Sequence, residues 1–158
     1  MEAPESPDHA EVRILPPLLF LGSILLGALL QLVIVVRLTT KPGWLVPVGL
    51  ALVALGVAAM AWVIAEMRRT QQDPDPRKPT PELIVGGPFR FARNPIYTGM
   101  ALVQAGIGLA LANVWILLLL PPTLWILRRE VIEKEEAYLE RKFGDAYRAY
   151  KSSVRRWL

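Results

Sequence analysis

The chain has 158 residues, of which 53% are hydrophobic, and a mean hydropathy of +0.36. These figures exclude disorder and a collagen-like repeat, and the absence of Cys excludes a disulfide scaffold, a thiolate nucleophile and any Cys-based zinc site. The net charge of +4 comes from basic residues that flank apolar blocks, which points to anionic lipid headgroups as partner and to no nucleic acid.

The only histidine, His9, lies in a polar N-terminal stretch, so neither His-dependent catalysis nor a His-based metal site is expected. Residues 1–12 carry no basic region ahead of an apolar core and read as a polar cytosolic tail, not as a secretory signal.

Ile14 to Val36 is an apolar block in which Gln31 is the only strongly polar side chain, bracketed by Arg13 and Arg37. Crossing a hydrocarbon core of about 30 Å takes about 20 apolar residues in a helix, so this block predicts a first membrane span. A turn over Thr39-Thr40-Lys41-Pro42-Gly43 leads to a second block, Leu45 to Ala65, closed by Glu66-Met67-Arg68-Arg69. Trp44 and Trp62 stand near its ends, where aromatic belts sit. Residues 13–66 are therefore read as a two-helix transmembrane unit.

Residues 67–95 read as a cytosolic connector. Its first part, Arg68 to Pro81, holds four prolines, two aspartates and four basic residues without apolar periodicity. The third apolar block, residues 96–127, would be about 48 Å long as one helix, too long for one crossing and short of two full ones. Asn113 divides it and Pro121-Pro122 interrupts its second half, which predicts a helical hairpin. Gly99, Gly106 and Gly108 supply small residues for close helix approach. Residues 128–158 are charged, with Val131, Ile132, Tyr138, Leu139, Ala146, Tyr147 and Tyr150 at three- and four-residue steps, an amphipathic helical pattern broken near Gly144.

The fold class predicted is all-α and integral to a membrane, with about four transmembrane helices and an amphipathic C-terminal segment. If the hairpin returns the chain to its side of origin, that side carries 16 of the 18 Lys and Arg residues. The positive-inside rule makes it cytoplasmic, with both termini cytosolic and the inner, cytoplasmic membrane as location.

Two polar islands sit against membrane ends. In the first, Gly86 to Gly99, the glycines permit close ligand approach and Pro95 can begin a helix with Asn94 as its cap. The alternative is an ordinary re-entry turn with snorkelling arginines. The second is Glu133-Lys134-Glu135-Glu136 with Glu140, either a solvated charged face or a source of one carboxylate for ribose hydroxyls or a cationic cofactor.

Taken together, the islands carry a resemblance. Gly87-Pro88-Phe89-Arg90-Phe91-Ala92-Arg93-Asn94-Pro95-Ile96-Tyr97-Thr98-Gly99 is followed by Glu135-Glu136-x-x-Leu139, by Phe143-Gly144-x-x-Tyr147-x-x-Tyr150 and by Val154-Arg155-Arg156-Trp157. Over about residues 81 to 157 this order resembles the isoprenylcysteine carboxyl methyltransferase family and the related phospholipid methyltransferases. The resemblance implies a membrane enzyme that uses S-adenosyl-L-methionine without a Rossmann-type domain. It places cofactor contacts on Glu82, Leu83, Ile84, Phe89, Asn94, Pro95, Ile96, Tyr97 and Glu135.

The chain departs from the family pattern twice. Asn94 stands where the family has histidine, and it donates and accepts hydrogen bonds but takes no proton. Val131 stands where an arginine would hold a prenylcysteine carboxylate, which leaves Arg128 and Arg129, in a neighbouring turn, as substrate contacts. Arg129 and Tyr97 are the catalytic candidates. The acceptor expected is a lipophilic small molecule, an isoprenylcysteine or a lipid-like compound met in the bilayer. An NADPH-dependent reductase of the sterol type and a non-catalytic membrane assembly protein are the competing readings, and the cofactor bound separates all three.

Overall fold

The computed structural model describes residues 9–36 and 43–157, so the expected turn at Thr39 to Pro42 and most of the N-terminal tail lie outside the described residues. Among the described residues every regular element is helical. Helix α1 spans Pro16–Val33, with prolines in its first turn, where a missing N–H costs no helical bond. Helix α2 spans Leu45–Arg69 and ends on Arg68 and Arg69, whose charge suits the negative end of the helix dipole. Both are long and apolar enough to cross a membrane. The first is shorter than its apolar block, and the second runs one turn past its block through Glu66 to Arg69.

The outward face of α1, with Leu18, Leu21, Leu25, Leu29 and Leu32, is exposed, whereas Phe20, Ser23 and Gly27 are buried. Such an apolar outer surface matches lipid as solvent.

Helix α3, Pro95–Ala110, packs antiparallel on α2, and glycines set the distance between them. A Cβ on Gly49 would stand 2.5 Å from the Ala110 nitrogen and 2.6 Å from the Gly106 oxygen, and one on Gly56 would stand 2.6 Å from the Gly99 oxygen. Small residues on both helices thus bring backbone against backbone, which is how helices gain dispersion energy where lipid removes the hydrophobic drive to associate.

The third apolar block does turn at Asn113. Its side chain accepts hydrogen bonds from the Trp115 and Ile116 N–H groups (3.0 and 3.2 Å) and caps the five-residue helix α4, Val114–Leu118. A break at Leu119 separates α4 from α5, Leu120–Leu127, whose first turn carries the two prolines. Polar groups tie these segments to α1. Gln104, fully buried on α3, donates to Ser23 Oγ (2.9 Å) and to the Ile116 carbonyl (3.1 Å), and Thr123 Oγ1 lies 2.8 Å from Ser23 Oγ. Asn113 Nδ2 donates to the Gly27 carbonyl at 3.3 Å, and Trp115 Nε1 donates to that of Ile34 at 2.9 Å.

These contacts fix the direction of each helix. The start of α1, the end of α2, the start of α3 and the end of α5 gather at one end of the bundle, and there the C-terminal segment folds over them. It begins with a π-helical turn, Arg128–Ile132, and continues as α6, Glu133–Phe143, and α7, Asp145–Ser153. The expected break falls at Gly144, whose φ of +53° lies in the left-handed region that favours glycine. Beneath it Ala10, Val12, Tyr97, Leu127, Val131, Ile132 and Tyr138 form one buried cluster.

Substitution at the α2–α3 contact tests the packing. Gly106→Ala puts a Cβ 2.5 Å from the Gly49 oxygen and is expected to lower stability by about 1–3 kcal/mol, the usual cost of overpacking. Gly22→Ala on α1 meets nothing within 4 Å and is expected to be neutral or stabilising. Thermal unfolding in detergent checks the pair, and equal midpoints would contradict the close contact.

Candidate functional site

The gathered helix ends enclose a cleft of about 850 Å³, part of it open to solvent. Its walls come from four places: the linker from Gln72 to Thr80, the stretch Leu83 to Phe89, the start of α3, and the inner faces of α6 and α7. Gly87 shapes the second wall. Its φ of +54° turns the chain into a short 3-10 turn, Gly87–Arg90, and a Cβ there would stand 3.0 Å from the Glu66 carboxyl carbon. Tyr150 on α7 then donates its hydroxyl to the Phe89 carbonyl at 2.7 Å, and the Thr80 N–H donates to Tyr138 Oη at 3.1 Å. Two ordered contacts from the C-terminal helices thereby hold the connector in place.

One side of the cleft is acidic. Tyr97, near the start of α3, donates its hydroxyl to Glu135 Oε1 on α6 at 2.8 Å. Burial pushes the Glu135 carboxyl up to about 7, against the pull of the Tyr97 hydrogen bond, and the neighbouring charge of Glu136 adds to the rise. At neutral pH this carboxyl is poised between its two protonation states.

Arg93 and Glu136 line the same cleft. Glu136, one residue on, is buried and accepts from Arg156 Nε (2.9 Å) and Nη2 (2.7 Å), while Arg93 Nη2 lies 3.2 Å from its Oε1. The Arg93 N–H donates to the Arg155 carbonyl at 2.9 Å and Asn94 Nδ2 donates to that of Arg156 at 3.2 Å. Asn94 occupies the cap position of α3 with Pro95 following it, but its side chain makes no capping bond. The expectation of a capping side chain fails because that amide is engaged by the C-terminal segment.

The sequence profile of the phospholipid methyltransferase family matches residues 44–146 of the chain. The chain belongs to the phospholipid methyltransferase family. It is also 35% identical over 72 residues to a protein-S-isoprenylcysteine O-methyltransferase of Schizosaccharomyces pombe, a match covering 46% of this chain and 30% of that protein. A Haemophilus influenzae uncharacterized protein is 70% identical over 27 residues, 17% of this chain and 43% of that one. The chain spans less than half the length of these curated relatives. No solved structure matches it.

In this family member, Leu83, Ile84, Phe89, Asn94, Pro95, Ile96, Tyr97 and Glu135 come together on the cleft wall, although 38 positions separate Tyr97 from Glu135. Glu82 is exposed and lies off the wall. Arg128 and Arg129 are also outside it. Leu127, Val131 and Ile132 turn into the core, so the two arginines between them project outward, and Arg128 pairs with Glu133 at 3.0 Å. Val131 is fully buried in that core.

Several wall residues escape a local reading of the sequence. Asp73 and Asp75 belong to a linker without periodicity, and Arg93 reads as a snorkelling side chain. Glu136 reads as part of a solvated face beside Glu140, yet it is buried beneath two guanidinium groups. For Arg93 and Glu136 the one signal is adjacency, since Arg93 precedes Asn94 and Glu136 follows Glu135.

The raised value of Glu135 sets a pH dependence for the unliganded protein. From about pH 4.5, where a free glutamate ionises, up to about 7, the folded chain keeps a proton that the unfolded chain has lost. This contribution is present in full below about 4.5 and is lost as pH rises through about 7. Glu135→Gln is therefore expected to gain on the wild type across that window, by at most about 3 kcal/mol, and to hold its lead above it. Thermal midpoints of both proteins from pH 4.5 to 8.5 give the comparison, and a lead that shrinks with rising pH would contradict the assignment.

Proposed function

We propose that the protein transfers a methyl group from S-adenosyl-L-methionine to a lipophilic small molecule or lipid-like acceptor at the cytosolic face of the membrane. The observation that carries this reading is the cleft. The half-buried Glu135 carboxyl and the Arg93 guanidinium, only 9% exposed, line one cleft with apolar walls, at the end of a bundle whose outer surface is lipid-like. The donor set fits the cofactor: Glu135 can accept from ribose hydroxyls or face a cationic group, Leu83, Ile84 and Ile96 offer apolar surface, and Arg93 keeps N–H donors without a protein partner.

When bound, S-adenosyl-L-methionine supplies a methyl group already activated on a sulfonium, so the chain need not generate a strong nucleophile. What its residues do is position. Aligning two reactants is worth up to about 7–11 kcal/mol in the ideal case. Tyr97 orients Glu135, and the linker, pinned by Thr80 to Tyr138, forms one wall of the cleft. Asn94, unlike a histidine, orients by hydrogen bonding alone.

We further propose four membrane crossings, with α3 and the α4–α5 pair as the third and fourth, and with both termini on the cytosolic side of the inner membrane. Arg128 and Arg129, exposed at the membrane end, then meet anionic headgroups. The acceptor arrives from the bilayer and is not selected by a carboxylate at the position of Val131, which the core fills.

Calorimetry on detergent-purified protein with S-adenosylhomocysteine and NADPH in parallel tests this reading, with binding of the first expected; binding of NADPH alone would overturn it. At pH 8, Glu135→Gln is expected to weaken S-adenosylhomocysteine by about 1.5–3 kcal/mol, the worth of a charge-assisted hydrogen bond. Glu140→Gln should not, because Glu140 pairs with Lys151 at 3.0 Å away from the cleft. Equal small effects would make the acidic island a surface. For topology, cysteines at Lys41 and Ser152 should label from opposite sides of sealed vesicles, and labelling from one side would refute the four crossings.

A further inference from the structure

Arg93 is a buried cation that the protein's own anions leave incompletely paired. Its side chain is 9% exposed and lines the cleft, yet Nε and Nη1 have no hydrogen-bond partner. Only Nη2 reaches a carboxylate, Glu136 Oε1 at 3.2 Å, and Arg156 already takes both oxygens of that carboxylate at 2.9 and 2.7 Å. Two guanidinium groups thus share one negative charge, and one positive charge remains over. Leaving a buried charge and its N–H donors uncompensated is costly, so such a group is expected to meet an anion when the site is filled.

The other acidic groups on the wall are committed. Asp73 pairs with Lys78 at 2.5 Å, Asp75 pairs with Arg77 at 2.8 Å, and Glu135 accepts the Tyr97 hydroxyl. The missing anion must therefore come with the ligand. A guanidinium suits a carboxylate in shape as well as charge. The cleft also carries the Glu135 carboxyl, so it offers partners for both charges of a zwitterionic ligand.

We infer that Arg93 binds the carboxylate of the cofactor's amino-acid portion and so fixes which end of the cofactor lies beneath the C-terminal segment; this rests on the S-adenosylmethionine reading above. The location favours the cofactor over the acceptor as source of the carboxylate. The Arg93 backbone is bonded to the Arg155 carbonyl and its neighbour Asn94 to that of Arg156, so the guanidinium is rooted under the tail, not on the lipid-facing surface.

The test compares two ligands that differ in the amino acid alone. S-adenosylhomocysteine and 5′-methylthioadenosine share adenine, ribose and a thioether sulfur, but only the first has the ammonium and carboxylate. Both are titrated by calorimetry into the full chain in detergent, as wild type, Arg93→Gln, Arg93→Lys and Arg156→Gln. Wild type is expected to prefer S-adenosylhomocysteine. Arg93→Gln should bind it about tenfold to a hundredfold more weakly while keeping its affinity for 5′-methylthioadenosine, which also shows that the variant is folded. Arg93→Lys should recover part of the loss, and Arg156→Gln, which leaves Glu136 to neutralise Arg93, should also narrow the ratio of the two affinities. A parallel loss of both ligands in Arg93→Gln, or no loss of either, would overturn the inference. Wild type binding both equally would overturn it too while sparing the methyltransferase reading, whereas wild type binding neither would defeat both.

Discussion

Glu136 sits between Arg93 and Arg156, and that three-residue cluster joins the chain's two polar islands across more than forty positions. Ion pairs at a protein surface contribute little, about 0–1 kcal/mol, but removing one partner of a buried pair costs about 3–5 kcal/mol because the other is left stranded. The cluster therefore specifies more than it stabilises: it admits one placement of the C-terminal segment over the start of α3. The carbonyls of Arg155 and Arg156, bonded to Arg93 and Asn94, reinforce that placement. Across the same contact Tyr97 meets Glu135, and the Tyr150 hydroxyl reaches Phe89.

The apolar bundle supplies the platform on which the cluster acts. Backbone contact between α2 and α3 leaves little freedom to slide, since Gly49 faces Gly106 and Gly56 faces Gly99. The end of α2 is thus held beside the start of α3, and Glu66 is brought against Gly87, where a side chain would not fit without displacing it. In α1, Ser23 serves as the polar post for Gln104 and Thr123, so the third apolar block is docked by hydrogen bonds as well as by packing. In an apolar solvent these bonds have few competitors, and they position the end of α5 from which the π-helical turn departs.

Much of this could be read from the sequence, and the reasons for the remainder are physical. The two long helices follow from uninterrupted apolar length, the turn at Asn113 from a cap residue set in an apolar run, and the break at Gly144 from a glycine in an amphipathic repeat. The wall from Leu83 to Tyr97 with Glu135 follows from motif order. The outward direction of Arg128 and Arg129 does not, because it depends on a π-helical turn that places Leu127, Val131 and Ile132 in the core together. Nor does the burial of Glu136 or the place of the linker on the cleft wall. Those are pairings between distant segments, and local periodicity carries no record of them.

The central claim is that the connector and the C-terminal helices form one ligand site. Hydrogen exchange followed by mass spectrometry, with and without S-adenosylhomocysteine, tests it most directly. Slowed exchange is expected in residues 83–97 and residues 135–150 together, with the turn around Asn113 at the far end of the bundle unaffected. Protection confined to one of the two segments, or centred on the far turn, would contradict it.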